Sequence, residues 1–158
     1  MDELTELLKI VKASDSDEPG KFATDFAENM TKIDNAFSTT FLKVVAGTGG
    51  LLAYHIVYIT SFGTAQSASN LNPTHMGRVV GITIEDIPEG ESGLVQRIGR
   101  VENQNWNLIS GTPYFLGDGG EIINTVPKNG FIQYVGVAES EKVLAFSLGI
   151  PIKILGGS

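Results

Sequence analysis

The sequence predicts a mainly β protein: an antiparallel β-barrel or β-sandwich over residues 41–158, led by a short N-terminal α-helical arm over residues 1–40. Three observations carry this. Glycine is abundant, 19 of 158 residues, and eighteen of the 19 lie after residue 37, a density that suits many tight turns. Charge is partitioned too: residues 1–37 hold nine acidic and four basic side chains, against nine and seven in the remainder. After residue 40, short Val- and Ile-rich runs alternate with Gly, Pro and Asn turns at regular spacing, as in antiparallel barrels and sandwiches.

In the arm, Leu4, Leu7, Leu8 and Val11 recur at spacings of three and four, one face of a helix. Ser14-Asp15-Ser16-Asp17-Glu18-Pro19-Gly20 breaks it. A second helix starts at Asp25, an N-cap with Glu28 completing a capping-box pattern. Its apolar stripe is Phe26, Met30, Ile33 and Phe37. A helix this short is marginal alone in water, so the stripe is expected to pack on the β domain, on a neighbouring protein or in a helical bundle.

Gly47-Thr48-Gly49-Gly50 reads as a hairpin turn after Val44-Val45-Ala46, and Leu51–Thr60 as a strand apolar on both sides. Residues 62–69 form a weak strand or loop, and Asn70–Thr74, with its Asn-Pro step, a turn. Gly77–Ile84 is a strand, and Ile87-Pro88-Glu89-Gly90-Glu91 the turn after it. Leu94–Val101 alternates as one continuous strand, and residues 103–107 bend around Trp106, the sole tryptophan. Pro113–Leu116 is a short strand closed by the turn Gly117-Asp118-Gly119-Gly120. Phe131–Ala138 and Val143–Leu148 are strands, the first with a bulge or close approach at Gly136. The tail, Gly149–Leu155, sets Ile150, Ile152 and Ile154 on one face, a strand to be added across subunits.

Several chemistries are excluded. With no cysteine there is no disulfide, thiolate nucleophile or Cys-type zinc site. The net charge of -7 makes nucleic acid and anionic membrane surfaces poor partners. No run approaches the roughly 20 apolar residues of a membrane-spanning helix. The acidic start, Met1-Asp2-Glu3-Leu4-Thr5-Glu6, is unlike a secretory signal, so synthesis is expected in the cytoplasm. His55 is expected to be structural within a strand, and His75 a solvated turn residue. The pair lacks metal-ligand spacing, and no nucleophile or P-loop motif occurs. Asp118 and Glu121 are too few carboxylates for calcium, and Glu85, Asp86, Glu89 and Glu91 read as a solvated acidic turn. The expectation is a protein that is not an enzyme and has no cofactor and no metal. Aromatic side chains fall into two groups, Trp106 with Tyr114 and Phe115, and Tyr54 with Tyr58 and Phe62. They read as core filling, with Trp106 and Tyr114 the candidate glycan contacts.

The stretches Asn72–Ile82, Val101–Gly117 and Pro127–Ala138, with Gly-Thr-Pro-Tyr-Phe-Leu-Gly and Gly-Phe-Ile-Gln-Tyr-Val-Gly-Val-Ala at their centres, resemble a small β domain of tailed-bacteriophage fibre and other virion proteins. Residues 25–37 are similar to the start of phage baseplate and fibre proteins. The resemblance implies a structural role in the virion, frequently as a homotrimer, with no catalytic residues. It makes Phe26, Met30, Ile33, Phe37 and the tail isoleucines the expected contacts with other copies or other virion proteins. The chain lacks a long shaft, which leaves a short tail fibre or baseplate component, a capsid decoration or head-fibre protein, or an adaptor. The reading from a different class is a carbohydrate-binding module for host-surface glycans.

Overall fold

The computed structural model describes residues 40–155. The helical arm expected over residues 1–40, with Phe26, Met30, Ile33 and Phe37, lies outside the described residues apart from Thr40. Strands dominate: β1 (Phe41–Val45), β2 (Ile56–Ile59), β3 (Ala65–Ser67), β4 (Val79–Thr83), β5 (Ser92–Gln96), β6 (Ile98–Glu102), β7 (Pro113–Leu116), β8 (Ile122–Ile123), β9 (Phe131–Ile132), β10 (Tyr134–Ser140), β11 (Val143–Ser147) and β12 (Ile152–Lys153). Two single-turn 3-10 segments, Pro73–His75 and Asp118–Gly120, sit between them.

The strands form two five-stranded sheets, ordered β1-β5-β4-β2-β3 and β6-β11-β10-β7-β8, and a two-stranded sheet of β12 and β9. Every ladder is antiparallel. The first sheet curls until Ala46 and Ala65 make one parallel bridge. No closed barrel forms among the described residues, so of the two architectures expected the barrel is set aside.

Two clusters of apolar side chains explain the layering. Ile56 and Ile82 from the first sheet meet Val101, Tyr114, Leu116, Val135, Leu144 and Phe146 from the second. On the opposite face of the first sheet, Val44, Val57, Ala65 and Val95 pack with Leu51 and Ile87. Ile56 and Val57 are adjacent and both fully buried, so β2 is apolar on both faces because each face has its own core. The strand itself is shorter than the Leu51–Thr60 run: Leu51 instead makes an isolated bridge to Ile87.

Two further expectations are corrected. Gly47–Gly50 is not a hairpin turn, since β1 pairs with β5 and not with the next strand. Leu94–Val101 is not one strand. The chain breaks at Arg97, and β5 stays in the first sheet while β6 joins the second beside β11. The irregularity at Gly136 is present, with a shift of register against β7 between Tyr134 and Gly136, and a second shift against β11 follows between Ala138 and Ser140. Gly136 has φ +150°, and a Cβ there would lie 2.3 Å from the Ala145 carbonyl oxygen.

The tail pairs within its own chain, Ile152 opposite Ile132 and Lys153 opposite Phe131. The buried Gln133 amide donates to the Gly149 carbonyl at 2.7 Å, and Ile154 N–H donates to the Gly130 carbonyl. Ile150 and Ile152 remain exposed and Ile154 half-buried.

Candidate functional site

A concavity rich in polar groups without protein partners lies where residues 53–55, the Asn103–Leu108 bend and the segment 121–125 converge. It encloses about 580 Å³, within the roughly 300–1,000 Å³ of small-molecule sites.

Its first wall is built around a strained residue. Tyr54 has φ +61°, the sole non-glycine residue with positive φ among the described residues. Backbone held in this region costs on the order of 1–3 kcal/mol and persists only where the surroundings over-determine it. Here they do. Ala53 N–H donates to Asp86 Oδ1 at 2.8 Å, Tyr54 N–H to the Thr83 carbonyl at 2.8 Å, and His55 N–H to Thr83 Oγ1 at 3.0 Å. The fully buried Thr83 hydroxyl donates in turn to the Leu52 carbonyl. His55 holds its ring by donating from Nδ1 to the Ala53 carbonyl at 2.8 Å, which leaves Nε2 as a bare acceptor.

The second wall is the Asn103–Leu108 bend. Asn103 Oδ1 accepts from Asn105 N–H, and the Asn103 carbonyl from Trp106 N–H. Lys142 Nζ caps the bend by donating to the Trp106 carbonyl and to Asn107 Oδ1. Trp106 is half-buried, packing one side on the core and meeting Tyr54 edge-on, with ring centroids 5.5 Å apart at 64°. The third wall follows the Asp118–Gly120 turn. Gly120 has φ +82°, and a Cβ there would meet the Ile56 carbonyl oxygen at 2.8 Å, so only glycine lets the turn seat against β2. That seating brings Glu121 and Asn124 to the rim.

The sequence-predicted residues disperse. Trp106 and Tyr114 both line the cleft, but Tyr114 is 5% exposed and its hydroxyl accepts from Ile109 N–H at 2.9 Å. Tyr54, grouped in sequence with Tyr58 and Phe62, joins Trp106 instead. Phe115 meets Tyr134 edge-on. His55 lies just before β2, where the sequence placed it within a strand. His75 is not a solvated turn residue: it is buried, stacked on Tyr58 at 3.7 Å, and accepts from Ser69 N–H through Nδ1 at 2.9 Å. Asp118 accepts from the Ser69 hydroxyl. Among the described residues, no three His, Cys, Asp or Glu side chains gather closely enough to hold a metal ion. Glu85, Asp86, Glu89 and Glu91 are exposed, yet Asp86 and Glu89 latch the backbone N–H groups of Ala53 and Gly49. Sequence reasoning named Tyr54 but grouped it with Tyr58 and Phe62 rather than with Trp106, and it missed Asn124 and the accepting face of His55. The one available signal was the polar run around Trp106.

A second groove, of about 800 Å³, lies beside the β2–β3 turn and is lined by Tyr58, Thr60, Phe62, Thr64, Gln66, Arg78 and Glu89 among others. Several of its polar groups are already engaged. The Thr60 and Thr64 hydroxyls pair at 2.8 Å, Tyr58 donates to Gln66 Oε1, and Glu89 accepts from Gly49 N–H.

Among the described residues, no helix is long and apolar enough to cross a membrane. No protein-family model and no curated protein matches the chain.

Proposed function

We propose that the chain is a structural component of a bacteriophage particle, a short tail-fibre or baseplate-associated protein that joins the particle through residues 1–40 and projects its β-rich portion. In this reading it works as a homotrimer in contact with other virion proteins, and it is found in the virion after synthesis in the host cytoplasm. One observation carries the reading. Two of the three segments that resemble phage virion domains lie side by side: β10 pairs with β7 through Tyr134 opposite Phe115, Gly136 opposite Tyr114 and Val137 opposite Pro113. Their residues are spent on packing, with Tyr114, Leu116, Phe131, Val135 and Ala138 all buried. A motif made of core residues and a close-approach glycine encodes a scaffold, and scaffolding is what a virion component must supply.

The test is location. Antibody against the purified protein, applied to intact particles and imaged by electron microscopy, is expected to label the tail or baseplate. A chain lacking residues 1–24 is expected to melt like the parent yet be missing from particles. Label on the head would move the protein to the capsid-decoration class. Purified particles free of the protein would sink the proposal.

A further inference from the structure

We propose that the cleft between Tyr54 and Trp106 binds a short neutral saccharide. This goes beyond the structural role proposed above and holds whether or not the chain resides in a particle.

A sugar ring offers an apolar face of C–H groups and a rim of hydroxyls, each both donor and acceptor. A site for it needs aromatic surface beside polar side chains of both kinds. The cleft has both. The Trp106 and Tyr54 rings are locked edge to face, and the backbone hydrogen bonds from residues 53–55 hold Tyr54 in place against its φ of +61°. Strain kept in position by a surrounding network is a mark of functional sites.

Around these rings the polar groups lack protein partners. None of the hydrogen bonds among the described residues uses the Tyr54 hydroxyl, the Trp106 indole N–H, the Glu121 carboxylate or the Asn124 amide, and His55 Nε2 is equally bare. Half-buried Tyr and Trp side chains ordinarily find partners for their polar ends. The set comprises donors (the indole N–H and the Asn124 amide), acceptors (Glu121 and His55 Nε2) and the two-way Tyr54 hydroxyl. That mixture matches a chain of hydroxyls and no single ion. The larger groove beside Tyr58 answers more of its polar groups internally, since the Thr60 and Thr64 hydroxyls bond each other and Tyr58 bonds Gln66, although Thr48, Ser61 and Arg78 there also lack a protein partner.

Charge selects neutral sugars. Glu121 is the carboxylate in the lining and no Lys or Arg accompanies it. The nearby Lys142 ammonium is tied to the Trp106 carbonyl and Asn107 Oδ1, and the chain as a whole carries -7. A uronic or sialic acid would meet repulsion with no cation to answer it.

Trp106 is the only tryptophan, so its emission reports on this cleft alone. The full chain is titrated with neutral tetrasaccharides of glucose, galactose, mannose, rhamnose, N-acetylglucosamine and N-acetylgalactosamine, and with tetragalacturonate. At least one neutral member is expected to change the indole emission saturably, with a midpoint at or below about 10 mM, the weak end of specific binding. Tetragalacturonate is expected to leave it unchanged. Asn124→Ala, which removes a rim side chain, should weaken binding at least tenfold while melting like the parent. Tyr54→Gly relieves the positive φ and should abolish the response. Silence from every neutral sugar up to about 50 mM would overturn the proposal. So would a response undiminished in both variants, or a stronger response to tetragalacturonate. Because the isolated protein is used, failure here leaves the particle-location experiment unaffected, and the converse also holds.

Discussion

Burial holds the His75 imidazole below its ordinary value of 6.5, and the Arg78 guanidinium pushes the same way. Unfolded, the ring takes up a proton near pH 6.5; folded, it resists until lower pH. The unfolded state therefore binds more protons over that window, and stability that is complete above pH 6.5 drains away as the pH falls through it. His75→Asn keeps an acceptor for the Ser69 N–H but cannot titrate, and it loses the stack on Tyr58. The parent should thus melt higher at pH 8, and the gap should narrow between pH 6.5 and pH 5. A gap constant from pH 8 to pH 5 would show that the ring is not held neutral. The sequence could not announce this role. Asn-Pro-Thr-His-Met is a turn by every local rule, and burial of His75 comes from Tyr58, seventeen positions earlier. The backbone strain at Tyr54 was hidden for the same kind of reason. Its positive φ is imposed by Thr83 and Asp86, about thirty residues away, and nothing in Leu-Ala-Tyr-His marks it.

Elements were legible where their pattern is local. The runs at Gly77–Ile84, Phe131–Ala138 and Val143–Leu148 are strands β4, β9–β10 and β11 to within a few residues. What the sequence concealed is sheet membership. Leu94–Val101 alternates without a flaw, yet the chain turns a corner at Arg97, whose N–H donates to the Thr40 carbonyl at 2.7 Å. The corner is held from inside by Gln96, 8% exposed, whose amide donates to the Ile98 carbonyl at 3.0 Å and the Arg100 carbonyl at 3.1 Å. A polar residue at the end of an alternating strand looks solvent-facing; here it is a buried clamp between two sheets. Replacing it with leucine removes two hydrogen bonds from a buried setting, a loss of about 1–3 kcal/mol, or a fall in melting temperature of roughly 4–15 °C for a domain of this size. Gln96→Glu should be worse, because a carboxylate would face two carbonyl oxygens. If both variants melt within a degree of the parent, the corner does not depend on this side chain.

At the scale of the whole molecule, apolar surface is left over near the end of the chain. Ile150 is 88% exposed, Ile152 59% and Leu155 81%. The tail is nonetheless anchored, through the β12–β9 pairing and the Gln133 bond to Gly149. A fixed strand with outward-facing isoleucines is the surface on which the homotrimer proposed above would be built, since contiguous exposed apolar patches mark interaction sites. In that assembly, further copies of the chain cover it. Light scattering on the full chain at about 10 µM should then give three times 16.9 kDa. Ile150→Lys with Ile152→Lys places two charges in that contact and should return the mass to a single chain. Exposed positions of this kind usually alter stability by no more than about 0.5 kcal/mol. The double variant's melting should therefore lose only what assembly adds, a part that varies with protein concentration in the parent and not in the variant. A parent that scatters as a monomer would remove the trimer. A double variant that still scatters as three chains would move the contact away from the tail, to another surface of the protein.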